Sequence, residues 1–113
     1  MNLKNKIILV TGAGGFLGSH LCKALHCEEA TVIGFKRKIE DNKYITKQYN
    51  IDILNNHSVF EIIHDVKPEF VVNLAANKNR GVGAAAYCEG YETNLMGSFN
   101  IINACRKTMF RKK

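Results

Sequence analysis

The sequence predicts an α/β fold, a parallel sheet with helices on both of its faces. Three observations predict it. Short apolar runs alternate with amphipathic stretches along the 113 residues. The clearest run, Ile7-Ile8-Leu9-Val10, has no polar face, which is how a strand covered on both sides reads. And a glycine-rich turn, Thr11-Gly12-Ala13-Gly14-Gly15-Phe16-Leu17-Gly18, joins that strand to the first amphipathic stretch.

Each element follows from its own pattern. After the strand Ile7 to Val10, a helix is expected from Phe16 to about Cys27, with Leu17, Leu21, Ala24 and Leu25 on its apolar face. Thr31-Val32-Ile33-Gly34-Phe35 is the second strand, and Lys36 to Lys43 is polar and loop-like. Gln48 to Ile51 is a weaker third strand. Ser58 is expected to open a helix, with Glu61 completing a capping box and Val59, Ile62, Ile63 and Val66 as the apolar stripe. Pro68 ends that helix, because proline cannot continue it. Phe70 to Leu74 is the fourth strand. A long helix fills Ala84 to Lys107, with Tyr91, Leu95, Phe99 and Ile102 on one side. Strands alternating with helices imply right-handed crossovers. The result is a three-layer Rossmann-type sheet, of which the first four strands are present, in the order 3-2-1-4.

Length and composition bound the function. The chain fits one small domain, residues 1–113, expected to be an incomplete dinucleotide-binding unit. No apolar run approaches the roughly 20 residues needed to span a bilayer. The N-terminus runs into a strand rather than a signal-peptide apolar segment, so a soluble, cytoplasmic protein with no membrane partner is expected. Cys22, Cys27, Cys88 and Cys105 form no C-x-x-C pair and have no zinc-finger spacing to histidine, so reduced thiols are expected and no metal site. Five of the six net positive charges fall in the last eight residues, at Arg106, Lys107, Arg111, Lys112 and Lys113. A basic helix end suits the helix dipole, and no aromatic residues interleave as in single-strand binders, so nucleic acid is disfavoured as a partner.

The glycines have a physical reading. The turn at Thr11–Gly12 wants a residue free to take positive φ. A pyrophosphate must approach the backbone closely near Gly15, where a Cβ would collide with it. Gly18 removes a side chain that would hold the helix off. The free N–H groups at the helix start, around Phe16 and Leu17, and the helix dipole favour phosphate charge. Strand, glycine triplet and amphipathic helix together point to a dinucleotide.

The spacing T-G-x-x-G-x-x-G resembles the extended short-chain dehydrogenase/reductase family, the nucleotide-sugar epimerases and dehydratases. Three further stretches stand in the order that family has them. Asn50-Ile51-Asp52-Ile53 resembles its Asp-apolar pair after the third strand, which implies that Asp52 and the Ile53 backbone hold the adenine edge. Val71 to Ala76 resembles its fourth strand, which implies that Leu74, Ala75 and Ala76 lie beside the cofactor ribose. Tyr91 to Lys107 resembles its long helix, with Asn94 supporting the active site from behind and Gly97 packing closely. Relatives dimerise through such helices, so a homodimer through residues 84–107 is implied.

The end of the second strand decides between coenzymes. A carboxylate there accepts from a ribose 2′-OH and repels a 2′-phosphate. This chain has Lys36 where NAD-using relatives carry Asp, then Arg37, which can stack on adenine and pair with a 2′-phosphate. Glu40 and Asp41 are expected to lie too far along the loop. NADP is therefore favoured over NAD.

Members of this family transfer hydride while a Tyr phenol, tuned by a Lys four residues later, moves the proton. No tyrosine here has that partner: Tyr44 has Lys47 at three, Tyr49 has Ile53, Tyr87 has Tyr91 and Tyr91 has Leu95. The resemblance places the family's Ser/Thr on a fifth strand and its Tyr and Lys on the helix after it, past Lys113. The catalytic set is expected to be none in this chain, and a nucleotide-sugar substrate is implied only for a longer one. The reading is the NAD(P)-binding portion of an epimerase, dehydratase or related reductase. The alternatives are a non-catalytic NADP(H)-binding or redox-sensing module, or a basic interaction protein.

Overall fold

The computed structural model describes residues 2–37, 40–75 and 84–108, with side chains described to residue 75 and again from 95 to 108. Its elements are β1 (Ile7–Thr11), α1 (Phe16–Cys27), β2 (Thr31–Lys36), β3 (Lys47–Asn50), α2 (Asn56–Val66), β4 (Phe70–Asn73) and α3 (Ala84–Thr108). The four strands form one sheet in the order β3-β2-β1-β4. Every pairing is parallel: Leu9 lies opposite Ile33 on one side and Val71 on the other, and Phe35 lies opposite Tyr49. This is the predicted fold and the predicted strand order, with ends that shift by one residue, as strand ends do.

Successive residues of β1 serve opposite faces. Ile8 and Val10 join Val32, Ile45, Cys22 and Leu25 in the core under α1. Leu9 joins Ile33, Phe35, Ile51, Val59, Ile63, Ile101 and Ala104 in the core under α2 and α3. Both faces of the central strands are therefore dry, which is why the sequence there shows no alternation.

Of the apolar face expected for α1, Leu25 is buried and Leu21 half-buried, but Leu17, 67% exposed, and Ala24 are at the surface. The buried row is Gly18, Cys22 and Leu25. The row shifts because Gly18 must lie against the turn, and it carries Cys22 and Leu25 inward one and two turns later. In α3, Gly97, Asn100, Ile101, Ala104 and Cys105 face the core, whereas Leu95, Met96, Phe99 and Ile102 are exposed. Gly97, Ala104 and Cys105 keep part of that face small, Ile101 reaches into the core, and Leu95, Met96, Phe99 and Ile102 point away. Helix α2 opens two residues before Ser58. Asn55 is the cap, and its side chain accepts from the Ser58 N–H at 3.2 Å. Asparagine is among the best residues at that position, so it wins over the expected Ser58–Glu61 box. The end of α2 is as expected: Lys67 turns left-handed and the buried Pro68 follows.

The thiols of Cys22 and Cys105 are buried and free, and Cys27 is exposed and free. Burial pushes the Cys22 and Cys105 thiols above their ordinary range, with the Lys36 ammonium pulling Cys22 partly back. Among the described residues no cluster could hold a metal ion, and no helix is long and apolar enough to cross a membrane.

Candidate functional site

A cleft of about 870 Å³ opens beyond the C-terminal ends of the strands. It lies at the point where the chain, having added β2 and β3 on one side of β1, returns to place β4 on the other. That is where open α/β sheets bind ligands. Four segments wall it: the glycine turn, the end of β2, the residues after β3 and the residues after β4.

The turn comes first. Gly12 has φ +65°, and a Cβ on it would meet the backbone of Leu74 and Ala75 at 2.8 Å. Glycine is required there twice over, by conformation and by close approach. A Cβ on Gly18 would lie 2.0 Å from the Gly12 carbonyl oxygen, so Gly18 lets α1 close on the turn itself rather than on the strand. Gly15 is different. It is the N-cap of α1 at φ −77°, ψ 178°, a conformation any residue adopts, and it lines the cleft. No side chain caps α1 and its first turn holds no acid. The positive end of the helix dipole therefore faces the cleft with no acidic residue in its own first turn. Phe16 and Leu17, both exposed, line the same wall.

At the end of β2 the side chain of Lys36 is buried, and Arg37 beside it is exposed. Glu40, Asp41 and Asn42 also line the cleft. After β3, Asp52 makes a tight turn: its Oδ1 accepts from the Leu54 N–H at 2.9 Å and its carbonyl from the Asn55 N–H. The carboxylate is exposed on the cleft, and Ile53 beside it is buried. Gly97 meets Ile53 as the resemblance implied, since a Cβ there would fall 2.3 Å from Ile53 Cδ1.

Two features escaped the sequence reading. Thr11 is fully buried at the end of β1. Its Oγ1 accepts from the N–H groups of Leu74, at 3.0 Å, and Ala75, at 3.1 Å, and donates to Asn73 Oδ1. Asn73 Nδ2 in turn donates to Ser98 Oγ on α3 at 3.0 Å. A hydroxyl has one proton and two lone pairs, so this one is used completely, and it fixes where the chain leaves β4. Asn100, buried in α3, donates to the Ile53 carbonyl at 2.9 Å and so ties the Asp52–Ile53 turn to the helix. The only local signal for Asn100 is an amide on the face that also carries Gly97, Ile101 and Ala104.

Gly12, Gly15, Phe16, Leu17, Gly18, Lys36, Arg37, Asp52, Ile53, Leu74 and Ala75 thus share one cleft. Ala76 lies outside the described residues, as does the side chain of Asn94, whose backbone belongs to α3.

The same arrangement recurs in known proteins. A UDP-glucose 4-epimerase from Thermotoga maritima, solved with UDP-glucose, superposes with a TM-score of 0.80 at 28% identity, over 89% of this chain and 34% of that one. The Thermus thermophilus UDP-glucose 4-epimerase, solved with NAD, gives a TM-score of 0.77 at 25% identity over 89% of this chain and 34% of that one. The dTDP-glucose 4,6-dehydratase of Neisseria meningitidis serogroup B is 30% identical over 88% of this chain and 31% of its own length. The chain thus spans about a third of the length of these relatives and matches their N-terminal, sheet-forming part. The model of the NAD dependent epimerase/dehydratase family matches residues 8–113, from the first buried strand through the long helix. With the glycine turn, the strand order and the cleft all in that family's arrangement, the chain belongs to the NAD-dependent epimerase/dehydratase family.

Proposed function

We propose that this chain is the dinucleotide-holding part of a cytoplasmic nucleotide-sugar epimerase or dehydratase, one incomplete domain over residues 1–113, and that it prefers NADP. The observation that carries the reading is the cleft itself. An uncapped helix start, a basic strand end and an Asp-apolar turn converge there from three separate segments. The donor set fits the group. The α1 N–H groups beyond Gly15 would take the pyrophosphate. Asp52 and the Ile53 backbone would take the adenine edge. Leu74 and Ala75, fixed by Thr11, would lie along a ribose, and Lys36 and Arg37 would meet a 2′-phosphate. Bound there, the nicotinamide coenzyme supplies the hydride acceptor and donor. This chain's residues bind and orient it. The proton-moving Tyr and its Lys would come from the catalytic half that follows in relatives, together with the nucleotide-sugar site. The exposed apolar row on α3, Leu95, Met96, Phe99 and Ile102, supports a homodimer through that helix.

One observation favours a second reading of the coenzyme. Glu40 and Asp41 line the cleft beside Lys36 and Arg37, and a carboxylate there suits the 2′-OH of NAD. Titration of the protein with NADPH and NADH, followed by ligand fluorescence, decides. Tighter NADPH binding that Arg37→Ala weakens more than NADH binding supports the first reading. Equal losses, or tighter NADH, supports the second. Binding of neither overturns the dinucleotide reading.

A further inference from the structure

The segment from Glu40 to Thr46, between β2 and β3, is pinned to the sheet at both of its ends. At the far end Ile45 is buried in the space that Gly34 leaves open: a Cβ on Gly34 would lie 3.1 Å from Ile45 Cγ2. Thr46 donates its N–H to the Val32 carbonyl at 2.8 Å, and its Oγ1 accepts from the Val32 N–H at 3.0 Å. Asn42 closes the turn between, its Oδ1 accepting from the Tyr44 N–H at 2.9 Å. At the near end the tie comes from Gln48 of β3, whose Nε2 donates to the Glu40 carbonyl at 2.7 Å. This is the end that reaches the cleft. Glu40, Asp41 and Asn42 line it, whereas Gln48 is not part of its wall.

Stability does not explain Gln48. It is half-buried, opposite Gly34 in the register, on the face that Ile45 covers. A carboxamide brings two N–H donors and an oxygen acceptor. Here Oε1 is enclosed and has no partner among the described residues. Turning the amide over would set that oxygen against the Glu40 carbonyl, so the bond fixes the orientation. A buried acceptor without a donor costs about as much as one hydrogen bond returns, and the side chain adds little net stability. What it does supply is the position of the Glu40 carbonyl, and with it the start of the stretch that walls the cleft. That stretch follows β2, whose end the dinucleotide reading gives to the adenosine, and it shares the cleft with Asp52.

We propose that Gln48 is a positioning residue of the coenzyme site: by holding the Glu40 carbonyl it keeps the stretch from Glu40 to Asn42 as a preformed wall for the adenosine end of the dinucleotide. This rests on the dinucleotide reading and deepens it. Gln48 acts through the backbone and not by contact with the ligand. Its tie spares the ligand the ordering of that wall, so its loss lowers the fraction of protein that is ready to bind.

The test compares wild type, Gln48→Met and Gln48→Asn. Methionine keeps the length and removes both the donor and the unpartnered acceptor. Asparagine keeps the amide but is one methylene too short to reach Glu40. ADP and NADH affinities are measured by titration, and Tm by thermal unfolding. Both variants are expected to bind ADP and NADH about fivefold more weakly, the worth of one neutral hydrogen bond. The two ligands should lose the same factor, because ADP carries the whole of the end concerned. The Tm of Gln48→Met should stay within about 3 °C of wild type. Wild-type affinity for ADP in either folded variant overturns the inference, and Gln48→Asn decides if Gln48→Met does not fold. An NADH loss several times the ADP loss places the effect at the other end of the cleft and also overturns it. So does a binding loss in Gln48→Met that comes with a Tm drop beyond about 5 °C, which makes Gln48 a residue of the fold alone. A wild-type protein that binds none of ADP, NADH and NADPH overturns the dinucleotide reading and this inference with it.

Discussion

Adding one methyl group at either of two glycines in the same turn separates what the fold requires from what the ligand requires. In Gly18→Ala the new carbon falls 2.0 Å from the Gly12 carbonyl oxygen and 2.9 Å from the Ala13 Cα. Close carbon–oxygen contacts lie at about 3.3 Å, so the helix and the turn must part by about 1 Å. Overpacking of this kind costs about 1–3 kcal/mol, and more where backbone rather than a side-chain tip must yield. The better helix propensity of alanine returns about 1 kcal/mol. We expect a net loss of about 2 kcal/mol, or about 10 °C in Tm for a domain of this size. In Gly15→Ala the conformation at φ −77°, ψ 178° accepts a side chain. Reduced freedom of the unfolded chain contributes about 0.4–1 kcal/mol, and the poorer N-cap offsets a similar amount. Stability should stay within about 0.5 kcal/mol of wild type, whereas a carbon at this cleft-lining position should weaken dinucleotide binding by about tenfold or more. Urea unfolding and NADPH titration of both variants provide the assay. Equal destabilisation by the two substitutions, or wild-type binding by Gly15→Ala, would refute the division of labour.

Three further outcomes are expected. Asn100→Ala leaves the Ile53 carbonyl without its buried donor and should cost about 1–3 kcal/mol, measured by denaturant midpoint at constant m-value. Thr11→Val removes the hydroxyl that serves Leu74 and Ala75 and should destabilise by about 2 kcal/mol, while Thr11→Ser, which keeps the oxygen, should retain most of that stability. The Cys22 and Cys105 thiols are raised above their unfolded values, so the folded state holds their protons longer. Their contribution is complete below the unfolded thiol range and is lost as pH rises through the folded one. Stability should therefore fall on going from about pH 8 to about pH 10. The fall should be smaller in a Cys22→Ala, Cys105→Ala double variant, and an identical fall in the two proteins would exclude the thiols as its cause.

The strands, the helix positions and the glycine turn were legible in the sequence because each is set by neighbours within a few residues. An uninterrupted apolar run, a turn that needs positive φ at Gly12, and Pro68 after a helix each act locally. The face of each helix was not legible in the same way. Leu17, Leu21 and Ala24 with Leu25 have helical spacing, as do Gly18 and Cys22 with Leu25, and hydrophobicity alone prefers the first row. The approach of the Gly12 carbonyl oxygen to Gly18 decides for the second. The same holds for α3, where Leu95, Phe99 and Ile102 form, with Tyr91, the one apolar side that spacing alone shows. Ile53 selects instead the row that contains Gly97.

By itself, then, the sequence determined the α/β class, the strand order and most of the cleft wall, through periodicity and a motif whose residues are close in the chain. Only the tertiary structure decided how the wall is held. Thr11 meets Asn73 across 62 residues and Asn100 meets Ile53 across 47, and both bonds exist because strand and helix ends are brought together by packing. The presence of Glu40 and Asp41 on the cleft and the approach of the Lys36 side chain to Gly14 are of the same kind. A polar side chain has no periodicity to betray its partner, so a hydrogen bond or a steric gap between distant segments is written only in the folded chain.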